Sequence, residues 1–261
     1  MRIFLTLPAY NEETALPHLL ESFKSQMDSS GYEGQVVVVD DGSTDATSRI
    51  VQDWSSFLPI DLIRHQVNAG LGTTIHDGLR RTAELARADD VIVTMDADNT
   101  HSPSLIPAMV RCIEQGHDVV IASRYRRGSQ VLGLSAVRQL MSYGASWLFQ
   151  IMFPIPGVRD YTCGFRAYSA KALQQAFAAY QQDLVTERSF ACMAEILLKL
   201  RRMHLKMIEV PMILRYDRKV GSSKMSVGRT ILKSLALVAR NSFGADARAN
   251  LADRNGSSRR R

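Results

Sequence analysis

Five short runs rich in Val and Ile, at 2–8, 35–40, 60–65, 90–95 and 118–123, alternate with stretches of helical period at about 14–27, 46–57, 73–86 and 103–115. Runs apolar at successive positions, without the polar alternation of a half-exposed strand, read as strands buried on both faces. Their alternation with helices implies right-handed crossovers and a mostly parallel sheet, so the expected fold class is α/β. Two helix starts carry signals: Ser43 and Asp45 ahead of Ala46, and Ser102 followed by Pro103, a capping residue before proline at the first helical position. In open sheets of this kind ligands sit beyond the carboxyl ends of the strands.

Those ends are polar. Pro8-Ala9-Tyr10-Asn11-Glu12-Glu13 follows the first run and Asp40-Asp41-Gly42-Ser43-Thr44-Asp45 closes the second. Asn68-Ala69-Gly70-Leu71-Gly72 follows the third, and Asp96-Ala97-Asp98 the fourth. Turn chemistry explains any one such loop, because Asp, Asn and Gly favour turns. Four on one sheet edge point to a site.

The residue types narrow its chemistry. Asp96 and Asp98 offer hard oxygen ligands with no His or Cys cluster nearby, which suits Mg²⁺ or Mn²⁺ shared with phosphate oxygens and not zinc. Asp40 and Asp41 on the neighbouring strand would repel such a pair unless a cation or sugar hydroxyls lay between them. No Gly-x-Gly-x-x-Gly follows the first strand and there is no Walker A sequence, so dinucleotide-binding and P-loop readings fail. The spacing Asn68-x-Gly70-x-Gly72 fits a tight turn or a close backbone approach.

Charge says little about the body of the protein. Of the net +6, the segment 240–261 contributes four, with six arginines against Asp246 and Asp253. No nucleic-acid reading motif accompanies that charge, so a nucleic-acid partner is not expected. Cys112, Cys163 and Cys192 are widely spaced, which predicts free thiols in a reducing compartment and no structural zinc. Met1-Arg2 runs straight into a strand, so no signal peptide and a cytoplasmic location are expected.

In order and spacing, the four loops resemble those of the inverting glycosyltransferase-2 family. The second half extends the likeness to its polyprenyl-phosphate (dolichol-phosphate) mannosyltransferase branch, through Ser123-Arg124-Tyr125, Arg138 with Ser142, Asp160-x-x-Cys163-Gly164-Phe165-Arg166, Glu195, and Arg218-x-x-Gly221-x-Ser223-Lys224. The resemblance spans about 3–227. It implies a GT-A fold, a Rossmann-like mostly parallel sheet flanked by helices, a nucleotide-diphospho-sugar donor such as GDP-mannose or UDP-glucose, a divalent metal and a polyprenyl phosphate acceptor. By the same resemblance Pro8, Tyr10, Glu12, Asp40, Asp41, Asn68, Gly70 and Gly72 form the nucleotide pocket. Asp96 and Asp98 hold the metal on the diphosphate, Arg124, Arg138 and Ser142 meet the acceptor phosphate, and Arg218 and Lys224 close over the donor phosphates. Two positions depart from the family pattern: Asn99-Thr100-His101 replaces Leu-Gln-His, leaving Thr100 where a metal-ligating Gln is usual, and Ser189-Phe190 replaces Gly-Tyr/Phe.

The acceptor can be weighed on physical grounds. A lipid phosphate is already anionic at neutral pH, with a second pKa near ~6, and needs cations and no general base. Arg124, Arg126, Arg127 and Arg138 favour it, and Arg138 and Ser142, four apart, would share a helix face. A hydroxyl acceptor needs a carboxylate base, for which Asp183 and Glu187 are the candidates; the other open reading is a non-catalytic nucleotide-sugar-binding partner. Residues 139–158 carry no charge but are broken by Ser142, Gly144, Ser146, Gln150 and Pro154-Ile155-Pro156. They read as a helix lying in a membrane interface, with a core helix as the alternative, and not as a membrane span. The expected organisation is a catalytic domain at 1–227, a helix at 228–242 and a disordered basic tail at 243–261.

Overall fold

The computed structural model describes residues 1–218. The expected helix at 228–242 and the basic tail lie outside them. Nine strands and seven α-helices are described: β1 (Arg2–Ala9), α1 (Leu16–Ser30), β2 (Glu33–Asp40), α2 (Thr47–Trp54), β3 (Ile60–Arg64), α3 (Leu71–Leu85), β4 (Val91–Thr94), α4 (Ile106–Glu114) and β5 (Val119–Ser123) in the first part. They are followed by β6 (Gln130–Leu132), α5 (Ala136–Met152), β7 (Arg166–Ser169), α6 (Ala170–Tyr180), α7 (Cys192–Arg202), β8 (Met207–Pro211) and β9 (Ile213–Arg215).

Seven strands form one sheet in the order β3-β2-β1-β4-β7-β5-β8, parallel except for β7, which runs antiparallel to both β4 and β5. A two-stranded parallel sheet, β6 with β9, stands apart. Strands β4 and β5 are buried throughout, β1 nearly so, and β2 from Val36 to Asp40, which is why their sequences contain continuous apolar runs. Helix α1 packs on β2 and buries Leu16, Leu19, Leu20, Phe23 and Met27, an i, i+3, i+4, i+7 stripe, and Gly31 ends it in a left-handed cap.

From β1 the chain moves outward through β2 to β3, then returns to place β4 on the opposite side of β1. That reversal opens a crevice beyond the carboxyl ends of β1 and β4, where α/β sheets bind ligands. Residues 10–12 and 96–100 follow those two strands, so topology brings together loops separated by more than 80 residues.

The helix-start signals need correction. The Asp45 carboxylate accepts the Thr47 N–H at 2.9 Å, so it supports the start of α2, but Ser43 instead takes the N–H of Asn11 in the opposite loop at 2.9 Å. Ser102 pairs with the Ser104 hydroxyl at 2.8 Å, and a 3-10 turn over Pro103–Leu105 precedes α4. Polar loop side chains here tie loops together more than they cap helices.

Candidate active site

A cavity of about 420 Å³ opens at this crevice. Pro8, Tyr10, Glu12, Asp41, Asn68, Asp96, Asp98 and Thr100 line it from the sheet edge, and Arg124, Arg138 and Ser142 from the second half. Asp40, Gly70 and Gly72 do not reach its wall; they support it. Arg218 is exposed at the end of the described segment, and Lys224 lies outside it.

Asp40 is fully buried; it accepts the Ser43 N–H at 2.8 Å and the Ser48 hydroxyl. It thereby holds the turn that presents Asp41. The two loops after β1 and β2 are laced together by Asn11 N–H to Ser43, Glu12 N–H to Thr47, and Thr44 N–H to the Asn11 side chain, at 2.8–2.9 Å. Asn11 adopts φ +51 to make this turn, a left-handed conformation that asparagine tolerates better than most residues.

Gly70 and Gly72 serve a close approach. A Cβ on Gly72 would lie 1.8 Å from the Glu187 carbonyl oxygen, and Gly72 N–H donates to the Arg188 carbonyl at 3.0 Å. The 186–189 segment is pinned from its other side by Glu195, whose carboxylate accepts the N–H groups of Thr186 and Glu187 at 2.9 and 2.8 Å. Gly72→Ala is therefore expected to push this segment off α3 and destabilise the fold by about 1–3 kcal/mol, the usual cost of overpacking. Thermal unfolding checks it, and an unchanged midpoint would refute the packing argument.

In the Asp96–Thr100 loop, Asn99 at φ +60 turns the chain back so that Asp98 Oδ1 accepts the Thr100 N–H at 3.2 Å and its hydroxyl at 2.7 Å. A Cβ on Gly164 would stand 2.9 Å from Asp96 Oδ1, so glycine there leaves room at that carboxylate. The donor set is two carboxylates and a hydroxyl on one wall, all oxygen. Among the described residues no group of three or more His, Cys, Asp or Glu is placed to hold a metal ion by itself. By its chemistry the all-oxygen pair with its hydroxyl suits a small hard cation, whose other ligands would be water and phosphate.

The second half supplies the opposite wall. Arg124 forms a bidentate pair with buried Asp160, at 2.8 Å from Nε and 2.6 Å from the terminal amine, and also reaches Thr162 at 2.7 Å. Its charge is thus matched within the protein. Arg138, on α5, is exposed and makes no ion pair among the described residues. Ser142, one turn on, shares its hydroxyl with Tyr125 at 2.6 Å. Leu134, Met141, Ala145, Phe149, Met212 and Leu214 add an apolar wall beside them. Cys163 also lines the cavity, but burial pushes its thiol up to about 12, so it stays protonated at neutral pH.

Helix α5 is held to the body by few contacts. Phe149 stacks on Tyr161 with ring centroids 5.4 Å apart, and the Ser146 hydroxyl donates to the Arg159 carbonyl at 2.5 Å. Val137, Leu140, Tyr143, Trp147 and Ile151 are 53–73% exposed, so a core helix is not what the structure contains. Among the described residues no helix is long and apolar enough to cross a membrane.

Sequence reasoning missed His65, which bridges Asp41 and Asp77, and His101, whose ring lines the cavity 5.3 Å from that of Phe165. His101 adjoins the Asp-x-Asp loop and could have been flagged; nothing local marks His65, because its partners come from the loop after β2 and from α3.

Comparison with known proteins gives three kinds of match. The profile described as "Glycosyl transferase family 2" matches residues 5–177. A dolichol-phosphate mannosyltransferase from Pyrococcus furiosus is 32% identical over 90% of this chain, which spans 62% of that protein's length. An undecaprenyl-phosphate mannosyltransferase from Micrococcus luteus is 30% identical, covering 87% of this chain and 89% of its own. Glucosyl-3-phosphoglycerate synthase from Mycobacterium tuberculosis, solved with Mn²⁺, UDP and glucosyl-3-phosphoglycerate, shares the fold at a TM-score of 0.62, with 19% identity over 92% of this chain and 79% of that chain.

Proposed function

From the premise that this chain belongs to glycosyl transferase family 2, we propose that it transfers a hexose from a nucleoside-diphosphate sugar to a polyprenyl phosphate. The observation that carries the reading is the two-sided cavity, with carboxylates on one wall and Arg138, Ser142 and apolar side chains on the other. The names of the two mannosyltransferase relatives support mannose and a lipid phosphate. GDP-mannose and UDP-glucose are the donors to compare.

In this reading Pro8, Tyr10, Asp41 and Asn68 bind the nucleoside, with Asp40, Gly70 and Gly72 holding their loops. Asp96 and Asp98, aided by Thr100, hold Mg²⁺ or Mn²⁺, a choice supported by relatives of the fold solved with Mn²⁺ or Mg²⁺ and UDP. When bound, the cation neutralises charge developing on the departing diphosphate. Arg218 and Lys224 add positive charge from the donor side. Arg138 and Ser142 orient the acceptor phosphate, whose oxygen attacks the anomeric carbon from the face opposite the leaving diphosphate and inverts it. No general base is needed, and the carboxylates on the cavity wall, Glu12, Asp41, Asp96 and Asp98, all come from loops of the donor side. Neither Asp183 nor Glu187, the bases a hydroxyl acceptor would call for, is among them.

The exposed apolar side chains of α5 suit burial in a membrane interface, which would bring a lipid phosphate to the cavity beside Arg138. Peripheral attachment at a membrane face follows from this reading.

The test is nucleoside diphosphate release with Mg²⁺ or Mn²⁺, from GDP-mannose and UDP-glucose in parallel, with and without a short-chain polyprenyl phosphate. Release that depends on the lipid phosphate is expected. Donor binding without it would favour a hydroxyl acceptor or a non-catalytic nucleotide-sugar-binding partner. In the same assay Arg138→Ala should raise the acceptor KM about 10- to 100-fold, the value of a hydrogen bond to a charged group, with donor KM nearly unchanged. Equal loss of both would refute the acceptor role.

A further inference from the structure

His65 lies just beyond β3, and its ring spans two carboxylates on different elements. Nδ1 is 2.8 Å from Asp41 Oδ1 and Nε2 is 3.1 Å from Asp77 Oδ2 on α3. Carboxylates only accept, and a neutral imidazole has a single N–H, so both contacts are hydrogen bonds only when the ring is an imidazolium. The side chain is 15% exposed, between Asp41 at 6% and Asp77 at 37%.

Asp41 is more than an anchor for this charge. Its Oδ1 also accepts the Ala69 N–H at 2.8 Å and its Oδ2 the Gly70 N–H at 3.0 Å. One carboxylate thus gathers His65 and the backbone of the loop that carries Asn68, while Asp41 and Asn68 both line the cavity. From α3, Asp77 is held in turn by His76 Nδ1 at 3.0 Å. Of the other charges nearby, Arg64 is the preceding residue and is exposed. Asp40, whose carbonyl accepts the His65 N–H at 2.9 Å, keeps its carboxylate on Ser43 and Ser48. Arg81 on α3 pairs with Asp61 at 2.6 Å, and residues 66–70 carry no charge.

We propose that His65 is a positioning residue for the donor: bridging Asp41 and Asp77 as an imidazolium, it fixes the 66–70 loop and Asn68 at the cavity wall. The proposal rests on the donor-site reading above. Burial would lower the pKa of His65, but the hydrogen bonds and charges of Asp41 and Asp77 raise it above the ordinary value. The bridge is therefore complete at and below the ordinary histidine pKa and is lost as pH rises through the elevated one. Once neutral, the ring must face one carboxylate with a lone pair, and the loop loses one of its ties.

The experiment is calorimetric binding of GDP-mannose and UDP-glucose with Mg²⁺ across about pH 6 to 8.5, where neither sugar nucleotide changes charge, for the wild type and His65→Gln. Wild-type affinity should fall with rising pH. His65→Gln should bind about tenfold more weakly at the low end, as for the loss of a charge-assisted hydrogen bond, and its affinity should be flat, so that the two curves converge at high pH. A purely structural histidine would displace the curves by a constant amount, and that result, or a flat wild-type profile, overturns the proposal. NMR titration of the ring reads the bridge without any donor. An imidazole that titrates at its ordinary value overturns the bridge itself. A wild type that binds neither donor at any pH overturns the donor reading, and this one with it.

Discussion

Asp98→Ala is expected to reduce sugar transfer about 10³-fold or more, a rise of ~4 kcal/mol in the barrier. Expulsion of a nucleoside diphosphate places negative charge on the β-phosphate, and the donor-side wall of the cavity is itself acidic, with Glu12, Asp41, Asp96 and Asp98. Four carboxylates facing a diphosphate oppose binding unless a divalent cation lies between them. Asp98 is fixed within its own loop, its Oδ1 taking both the N–H and hydroxyl of Thr100. Those bonds also mean that alanine frees Thr100, so Asp98→Asn is the companion variant: an amide oxygen can still accept from Thr100 but brings no charge to a cation. Both should lose Mg²⁺-dependent donor binding by calorimetry while unfolding near the wild-type temperature. Turnover within tenfold of wild type, or wild-type turnover that survives chelation, would sink the metal role.

The first half of the chain was legible because β1, β2, β4 and β5 are largely buried and so spell themselves as apolar runs. Strand β3, at the sheet edge, is only partly buried and so departs from the expectation of strands covered on both faces. Boundaries moved by a few residues, as where α3 starts at Leu71 because Gly70, at φ +93, ends the loop sooner. The second half resisted. Strand β7 is four residues long and begins with Arg166, a fully buried arginine that donates to the Met193 and Tyr161 carbonyls at 2.7 and 2.8 Å. Edge strand β8 carries buried Glu209 at its centre. Both charges belong to tertiary hydrogen bonds that no local pattern announces. The loops of the candidate site could be read in chain order because they follow the strand ends, and topology gathers them at one cavity. What stayed hidden were contacts set by that topology, such as His65 with Asp77, and the distinction between Asp41 on the cavity wall and Asp40 beneath it.

Asp160→Asn carries the largest expected cost in stability. Asp160 is fully buried and accepts four bonds: the N–H of Arg124 at 3.0 Å, two from its guanidinium, and the Cys163 N–H at 3.1 Å. Its own backbone is set by Glu209, whose Oε1 accepts the N–H groups of Arg159 and Asp160, each at 2.6 Å. The amide keeps the shape but turns one acceptor into a donor against the guanidinium, and Arg124 loses its counter-charge while only 16% exposed. Breaking a buried pair from one side costs about 3–5 kcal/mol, which for a chain of this size lowers the unfolding temperature by roughly 6–20 °C. Burial alone would raise the Asp160 pKa, but the charge and hydrogen bonds of Arg124 hold it below the usual carboxylate range. A depressed native pKa gives stability that is complete above the unfolded value near ~3.9 and fades as pH falls through the native one. The difference between wild type and Asp160→Asn should therefore be constant from about pH 5 to 8 and shrink only in acid. Adding Arg124→Met, which removes the stranded charge, should recover part of the loss. Strict additivity of the two substitutions, or a cost below about 1 kcal/mol for Asp160→Asn, would show that the pair is solvated well enough to be dispensable.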